Sequence, residues 1–133
     1  MRAIFFRKKL PAFTLTELLV VLAIIGILLL IALPNLMPLI SKSKSTEAKQ
    51  NLTYIQSLER SWYMEHSKYS NDLKEIGFSL ENESEAQYTY EITSASASSF
   101  TAKATAKSDF DNDGNINVWE VDQDKNLKEV MPD

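Results

Sequence analysis

The feature that most constrains this chain is an apolar run from Phe13 to Leu33 in which Glu17 is the only charged residue. With a rise of about 1.5 Å per residue, the run is about 31 Å long as a helix, close to the roughly 30 Å hydrocarbon thickness of a bilayer. The rest of this 133-residue chain has too little apolar surface to surround a helix that is apolar on every side. The run is therefore predicted to cross a membrane.

The residues on either side of this run favour retention of the segment with its N-terminus in the cytoplasm. A secretory signal has a shorter apolar region followed by a small-residue cleavage site, and no such site follows Leu33. Basic residues precede the run without any acidic one, namely Arg2, Arg7, Lys8 and Lys9. This bias is typical of a cytoplasmic flank.

Composition excludes several classes of function. The chain has no cysteine, so it has neither disulfides nor a thiolate site. Its formal net charge is −4 even with the basic N-terminal residues included, which argues against nucleic-acid binding by bulk charge. No nucleophile motif or glycine-rich phosphate loop is present, and the single histidine, His66, excludes a multi-histidine zinc site. We therefore do not expect an enzyme.

Glu17 needs an explanation, because a carboxylate in hydrocarbon costs about 2.5 kcal/mol or more on insertion scales and such residues usually mark a function. One explanation is a partner: if the chain were cut just before Phe13, the new α-amino group would lie one helical turn from Glu17. The other explanation is that Glu17 reaches the lipid headgroups from near the helix end. The residues alone leave both open.

The segment KKLPAFTLTELLVVLAIIGILLLIALPNL resembles the N-terminal motif of type IV prepilins and secretion pseudopilins. The shared elements are a short basic leader, a small residue, Phe, a Glu four positions later and a long apolar helix. The resemblance implies cleavage between Ala12 and Phe13 by a prepilin peptidase, and N-methylation of Phe13. Glu17 matches the acidic position of the family and Pro34 its helix-bending proline. The family usually has Gly where this chain has Ala12, which implies slower processing.

The resemblance also implies a mode of assembly and a set of partners. Glu17 of an incoming subunit would pair with the Phe13 amino group of its neighbour, and the apolar helices would pack head-to-tail into an open-ended filament. The implied partners are other copies of this chain, the peptidase, membrane lipid before assembly, an inner-membrane platform protein and a cytoplasmic assembly ATPase. The implied location is the inner membrane, followed by an extracellular pilus or a periplasmic pseudopilus.

The chain divides into a leader at residues 1–12, an apolar helix at 13–40 and a soluble head at 41–133. In the head, SKSKSTEAKQNLTYIQSLERSWYMEH is amphipathic and continues the helix. Its predicted apolar positions are Ala48, Leu52, Ile55, Leu58 and Trp62, and its predicted polar side consists of Lys44, Glu47, Lys49, Gln50, Glu59 and Arg60. The following segment resembles pilins again, at Tyr69, Leu73 and Gly77.

The C-terminal half alternates apolar and polar residues, which indicates strands. YTYEIT, FTAKATAK, VWEVD and LKEVM are the candidates, the last two separated by a turn. Three or four antiparallel strands packed against the amphipathic helix give an α+β fold, since neither layer can bury its apolar face alone.

An acidic segment, DFDNDGNINVWE, matches the calcium-loop pattern of EF-hands. The candidate ligands are Asp109, Asp111, Asp113, the carbonyl of Asn115 and Glu120. Its flanks alternate like strands instead of forming helices, so two readings remain open besides a true EF-hand. One is a calcium-binding turn between strands, and the other is an Asp-Gly hairpin turn with solvated acids.

The sequence thus predicts a structural subunit of a type IV pilus-like filament. A pseudopilin of a type II secretion system is the close alternative. A membrane-tethered calcium-binding module that does not polymerise is the alternative from a different class, and Glu17 beside a predicted cleavage site argues against it.

Overall fold

The computed structural model describes residues 10–133, so the basic residues of the predicted leader lie outside the described part. One helix, α1, extends over Leu15–His66 and is followed by a four-stranded sheet, which confirms the predicted α+β fold. The described chain forms two compact units, one ending at Asn35 and one from Leu36 to Asp133. The predicted boundaries at residues 12 and 40 remain predictions.

The sheet is an antiparallel meander in which each strand pairs with its neighbours in sequence. Its strands are β1 (Tyr88–Ala95), β2 (Phe100–Ala106), β3 (Val118–Asp122) and β4 (Leu127–Met131). All four lie where the alternating pattern predicts them. One face carries a row of alternating charges, because Glu91 pairs in register with Lys103, Lys103 with Glu120, and Glu120 with Lys128. Opposite charges across strands favour this register.

The other face of the sheet packs against the second half of α1. Ala48, Leu52 and Ile55 of the helix are completely buried, as the apolar stripe predicts, and Leu58 and Trp62 pack at the edge of the core. The sheet contributes small residues in its centre and aromatic residues around them: Tyr88, Phe100, Ala102, Ala104 and Ala106. The small side chains of β2 and the aromatic residues around them belong to the same core as the apolar stripe of the helix.

A buried asparagine, Asn117, joins three strands just before β3. Its Oδ1 accepts hydrogen bonds from the Tyr88 hydroxyl and from Trp119 Nε1, both at 2.7 Å. Its Nδ2 donates to Glu129 Oε1 at 2.6 Å and to the Met131 carbonyl at 3.1 Å. Burial raises the pKa of Tyr88, so its hydroxyl stays protonated and remains a donor. Every polar atom of the Asn117 side chain therefore has a partner, as a buried amide requires.

Glu59 departs from the predicted polar side of the helix, because the structure buries it completely. Its Oε2 accepts a hydrogen bond of 3.0 Å from the Ser70 backbone N–H, in the segment 67–77 that follows α1. We call this segment the 67–77 loop. It ends in a Schellman turn at Gly77, whose φ is +82°, with the Phe78 N–H bonded to the Leu73 carbonyl. The loop covers Glu59, so a residue whose charge suggests a solvent-facing position becomes interior.

Candidate functional site

The N-terminal site begins with an irregular segment directly before α1. Phe13 is 86% exposed, and the peptide bond predicted to be cleaved, between Ala12 and Phe13, lies outside the helix. Backbone in this state is accessible, as a proteolytic substrate must be. Cleavage between Ala12 and Phe13 and methylation of Phe13 remain predictions.

Glu17 forms a capping box with Thr14 at the start of α1. The Thr14 N–H donates to Glu17 Oε2 at 2.8 Å, and the Glu17 N–H donates to Thr14 Oγ1 at 3.2 Å. The two side chains thereby satisfy two backbone donors that a helix start otherwise leaves unpaired. Glu17 lies in the first turn of α1, so its negative charge is at the positive end of the helix dipole. Thr-x-x-Glu before an apolar run is a recognisable capping pattern, so the sequence alone contains the signal for this local partner.

The apolar part of α1 is exposed on all sides within the described chain. Its large side chains are 48–74% exposed at positions around the helix that include Leu18, Val21, Ile24, Ile27 and Leu30. Among the described residues, this helix is the one long and apolar enough to cross a membrane. A surface of this extent needs either lipid or other protein to cover it. The helix continues through Pro34 and Pro38, although each proline removes one backbone donor.

The acidic segment connects β2 to β3 and is organised by its own carboxylates. Asp109 accepts hydrogen bonds from the N–H groups of Gly114 at 2.7 Å, Asn112 at 2.6 Å and Asp113 at 3.3 Å. The Gly114 bond, together with the others, holds the pKa of Asp109 below its ordinary value. Gly114 has φ +94°, a conformation that glycine adopts without strain. Strands β2 and β3 lie on either side of this segment, as predicted, whereas an EF-hand loop lies between two helices.

Three carboxylates of the described chain converge beside this segment: Asp109, Asp111 and Asp133. One oxygen from each lies within 4.8 Å of the others. Asp133 is held there by the Phe110 N–H, which donates to its Oδ1 at 3.0 Å, while its Oδ2 is buried without a hydrogen-bond partner. Partial desolvation, with repulsion from the neighbouring aspartates, raises the pKa of Asp111. The cluster thus concentrates negative charge around an acceptor that lacks a donor.

The other predicted ligands lie outside this group of three. Asp113 Oδ1 accepts from the Asn115 N–H at 2.7 Å and its Oδ2 from Asn115 Nδ2 at 3.0 Å. Glu120 lies within β3, in register with Lys103 and Lys128. Asp133, in contrast, was missed, because it is 22 positions from Asp111 and 24 from Asp109, and no local pattern connects them. Only the folded sheet brings the C-terminal residue to the β2–β3 connection.

Comparisons with known proteins agree with this architecture. Residues 8–33 match the family profile of the prokaryotic N-terminal methylation motif. Residues 34–115, more than half of the chain, match the family described as type IV minor pilin ComP, DNA uptake sequence receptor. The chain belongs to the type IV pilin family. Type IV pilins are structural subunits, and in this pilin the two matched regions meet between Leu33 and Pro34.

A curated relative supports the same assignment. The type IV major pilin protein PilA of Myxococcus xanthus is 43% identical over 81 residues. The aligned part covers 61% of this pilin and 37% of the relative, so this chain corresponds to little more than a third of that protein's length.

Proposed function

We propose that this pilin is a filament subunit of a type IV pilus, made as a precursor that is anchored by its apolar helix. Prepilin peptidase cuts between Ala12 and Phe13, Phe13 is methylated, and residues 13–40 leave the lipid to pack against the same helices of other copies. The observation that carries this proposal is the exposure of the apolar side chains around the first half of α1. In the membrane lipid covers them, and in a filament neighbouring helices do.

The position of Glu17 supports assembly over simple anchoring. A helix that served only as an anchor would be more stable in the bilayer without a carboxylate in its apolar stretch. In the described chain Glu17 binds the Thr14 N–H, which accounts for one of its oxygens. Its charge is thus available to the amino group that cleavage would create on a neighbouring subunit.

A pseudopilin of a type II secretion system uses the same anchor and is the second candidate. The name of the relative, a major pilin, favours the pilus. The matching family description also names a DNA uptake sequence receptor. The net charge of −4 gives this chain no bulk electrostatic attraction to DNA, so that role is not extended to it.

Mass spectrometry of filaments sheared from cells is expected to find a chain that begins with methylated Phe13. Replacement of Ala12 with Gly should give at least the same amount of mature chain, because the smaller side chain matches the usual residue of the family. Replacement of Ala12 with Leu should instead leave most of the chain as precursor. Assembled material that still begins with Met1 would contradict the proposed processing.

As a second activity, we propose that the acidic segment binds calcium. Asp109, Asp111 and Asp133 would supply carboxylate oxygens, which are the hard ligands that calcium prefers. The buried Asp133 Oδ2 without a donor is the atom that best fits this role, because a cation would satisfy it and offset the repulsion within the cluster. Asp113, Asn115 and Glu120 remain candidate ligands from the sequence pattern.

Calcium at millimolar concentration is expected to stabilise the full-length chain in detergent by about 1–3 kcal/mol, because the folded state alone holds the three carboxylates together. The melting temperature should rise by several degrees and return to its starting value when a chelator is added. Replacement of Asp111 with Asn should remove the shift. The matched change of Asp124 to Asn, in the β3–β4 turn, should retain it. A melting temperature unaffected by calcium would leave the solvated hairpin turn as the explanation.

A further inference from the structure

The buried Glu59 carboxyl has a geometry that neither membrane anchoring nor filament assembly requires. It lies on α1 in the second unit, and its relative exposure is 0%. Oε2 accepts from the Ser70 N–H, but Oε1 is buried and has no hydrogen-bond partner. A buried carboxylate with one unpaired oxygen is costly, whereas a neutral carboxyl avoids most of this cost.

A second carboxylate reaches the same serine. Ser70 Oγ donates to Glu75 Oε2 at 2.6 Å and accepts from the Asp72 N–H at 3.0 Å. Ser70, itself 3% exposed, therefore bridges Glu59 on the helix and Glu75 on the 67–77 loop. Two carboxylates connected through one residue repel each other when both are ionised. This arrangement therefore favours a proton on Glu59.

The loop that Glu59 holds also connects the helix to the sheet. The Tyr69 N–H donates to the Ser96 carbonyl in the β1–β2 turn at 3.0 Å, and the Tyr69 ring packs on Phe100 with centroids 5.0 Å apart. Ser70 and Glu75 line a surface cavity of about 550 Å³. Solvent is thus close to the carboxyl pair, and Glu59 can exchange its proton without unfolding of the core.

We propose that Glu59 is a pH-responsive latch: its neutral form holds the 67–77 loop on the end of α1, and its ionisation releases the loop. This inference rests on the fold of the second unit and does not depend on the proposed pilus function. Hydration stabilises an ionised Glu59 carboxylate, and water can reach it only if the 67–77 loop moves away. Release would expose the aromatic residues that the loop covers at the end of the helix.

The direction of the pH effect follows from the surroundings of Glu59. Burial, and secondarily the charge of Glu75, raises the pKa of Glu59, while the Ser70 N–H opposes the increase. The other ionisable groups on the neighbouring elements are Arg60 and Tyr63 on α1, Tyr69 on the loop and Asp124 in the β3–β4 turn. Besides burial, the charges of Tyr63, Asp124, Glu59 and Arg60 all affect the pKa of Tyr69. His66 stacks on Trp62. Among the charged groups, Glu75 is the one that acts directly on Glu59.

A carboxyl whose pKa is higher in the folded state binds more protons folded than unfolded. The free energy of unfolding therefore falls as the pH rises from the unfolded pKa of about 4.3 to the raised folded pKa, and it is constant above that. The loop is predicted to be closed in mildly acidic conditions. It is predicted to open as the pH rises toward the folded pKa of Glu59, with no further change above it.

Amide hydrogen exchange of the full-length chain in detergent, corrected for intrinsic rates, tests the latch between about pH 5 and pH 8. We expect the Ser70 amide to exchange at least about tenfold faster at the higher pH than in the Glu59→Gln variant, which stays neutral. The amides of Ala102 and Ala104 in β2 should not differ. The control variant Glu65→Gln, at an exposed position on the same helix, should behave like the unmodified chain.

Equal Ser70 exchange in the unmodified chain and Glu59→Gln across this pH range would overturn the proposal. If Glu59→Gln fails to fold, a carboxyl titration of Glu59 by NMR in the Glu75→Gln variant decides the question. Loss of the Glu75 charge should lower the titration midpoint of Glu59, and an unchanged midpoint would overturn the proposed pair.

Discussion

Replacement of Glu17 with Gln is expected to reduce filament yield by at least about tenfold, while cleavage before Phe13 continues. Loss of a charge-assisted hydrogen bond in an apolar setting costs roughly 1.5–3 kcal/mol, and about 1.4 kcal/mol per subunit contact already corresponds to a tenfold change in association. The yield is measured as sheared pilin per cell, and processing as the ratio of mature to precursor chain in the membrane.

The capping box allows the charge of Glu17 to be separated from its role at the helix start. Glutamine is also accepted at this position of a capping box, so Glu17→Gln keeps the bond to the Thr14 N–H and removes the charge. Thr14→Ala does the reverse, because it removes the bond from Thr14 Oγ1 to the Glu17 N–H and retains the carboxylate. If assembly needs the charge, Glu17→Gln should be the more harmful change. Normal yield from Glu17→Gln combined with loss from Thr14→Ala would show that the acid serves only as a cap.

Much of the fold was predictable because its signals are local. The strands alternate with a period of two, and β2 is the clearest case, since Phe100, Ala102, Ala104 and Ala106 are buried while the residues between them are not. The membrane-length helix follows from composition alone. Even the segment after α1 was recognisable from the pattern of Tyr69, Leu73 and Gly77, and Gly77 has the positive φ that a helical C-terminal turn requires.

Glu59 shows where a local pattern was misread. Ala48, Leu52, Ile55, Glu59 and Trp62 are spaced by four, three, four and three residues, so Glu59 lies on the buried stripe of α1. Glu59 was nevertheless predicted on the polar side with the other charged residues, and glutamate is in general rarely buried without a partner. Its partner, Ser70, belongs to a loop whose path cannot be read from helical periodicity.

The acidic cluster shows a different limit. Asp109 and Asp111 were predicted from a contiguous motif, but the third carboxylate comes from Asp133, which the antiparallel pairing of β3 and β4 brings back to the same place. Sheet register therefore decides which acids converge. The same holds for Asn117, whose partners Tyr88 and Glu129 lie on the two edge strands of the sheet.

Replacement of Asn117 with Leu is expected to destabilise the full-length chain in detergent by about 2–5 kcal/mol. Leucine has the same branched arrangement of four side-chain heavy atoms but a larger volume, so overpacking adds to the loss of hydrogen bonding. The Tyr88 hydroxyl and Trp119 Nε1 lose their acceptor inside the core. Each buried polar group left without a partner costs roughly 1–3 kcal/mol. Urea unfolding followed by the fluorescence of the two tryptophans measures the change.

Tyr88→Phe provides the matched control, because it removes one hydroxyl and leaves Asn117 Oδ1 bonded to Trp119. Alone it should cost about 1 kcal/mol, the typical net value of one hydrogen bond. In the Asn117→Leu background the same change should cost nothing or be stabilising, because it removes a donor that already lacks its acceptor. A double-mutant cycle measures this difference as a coupling energy. If the two changes are instead additive, Asn117 stabilises the sheet through its packing, and the hydrogen bond to Tyr88 contributes little.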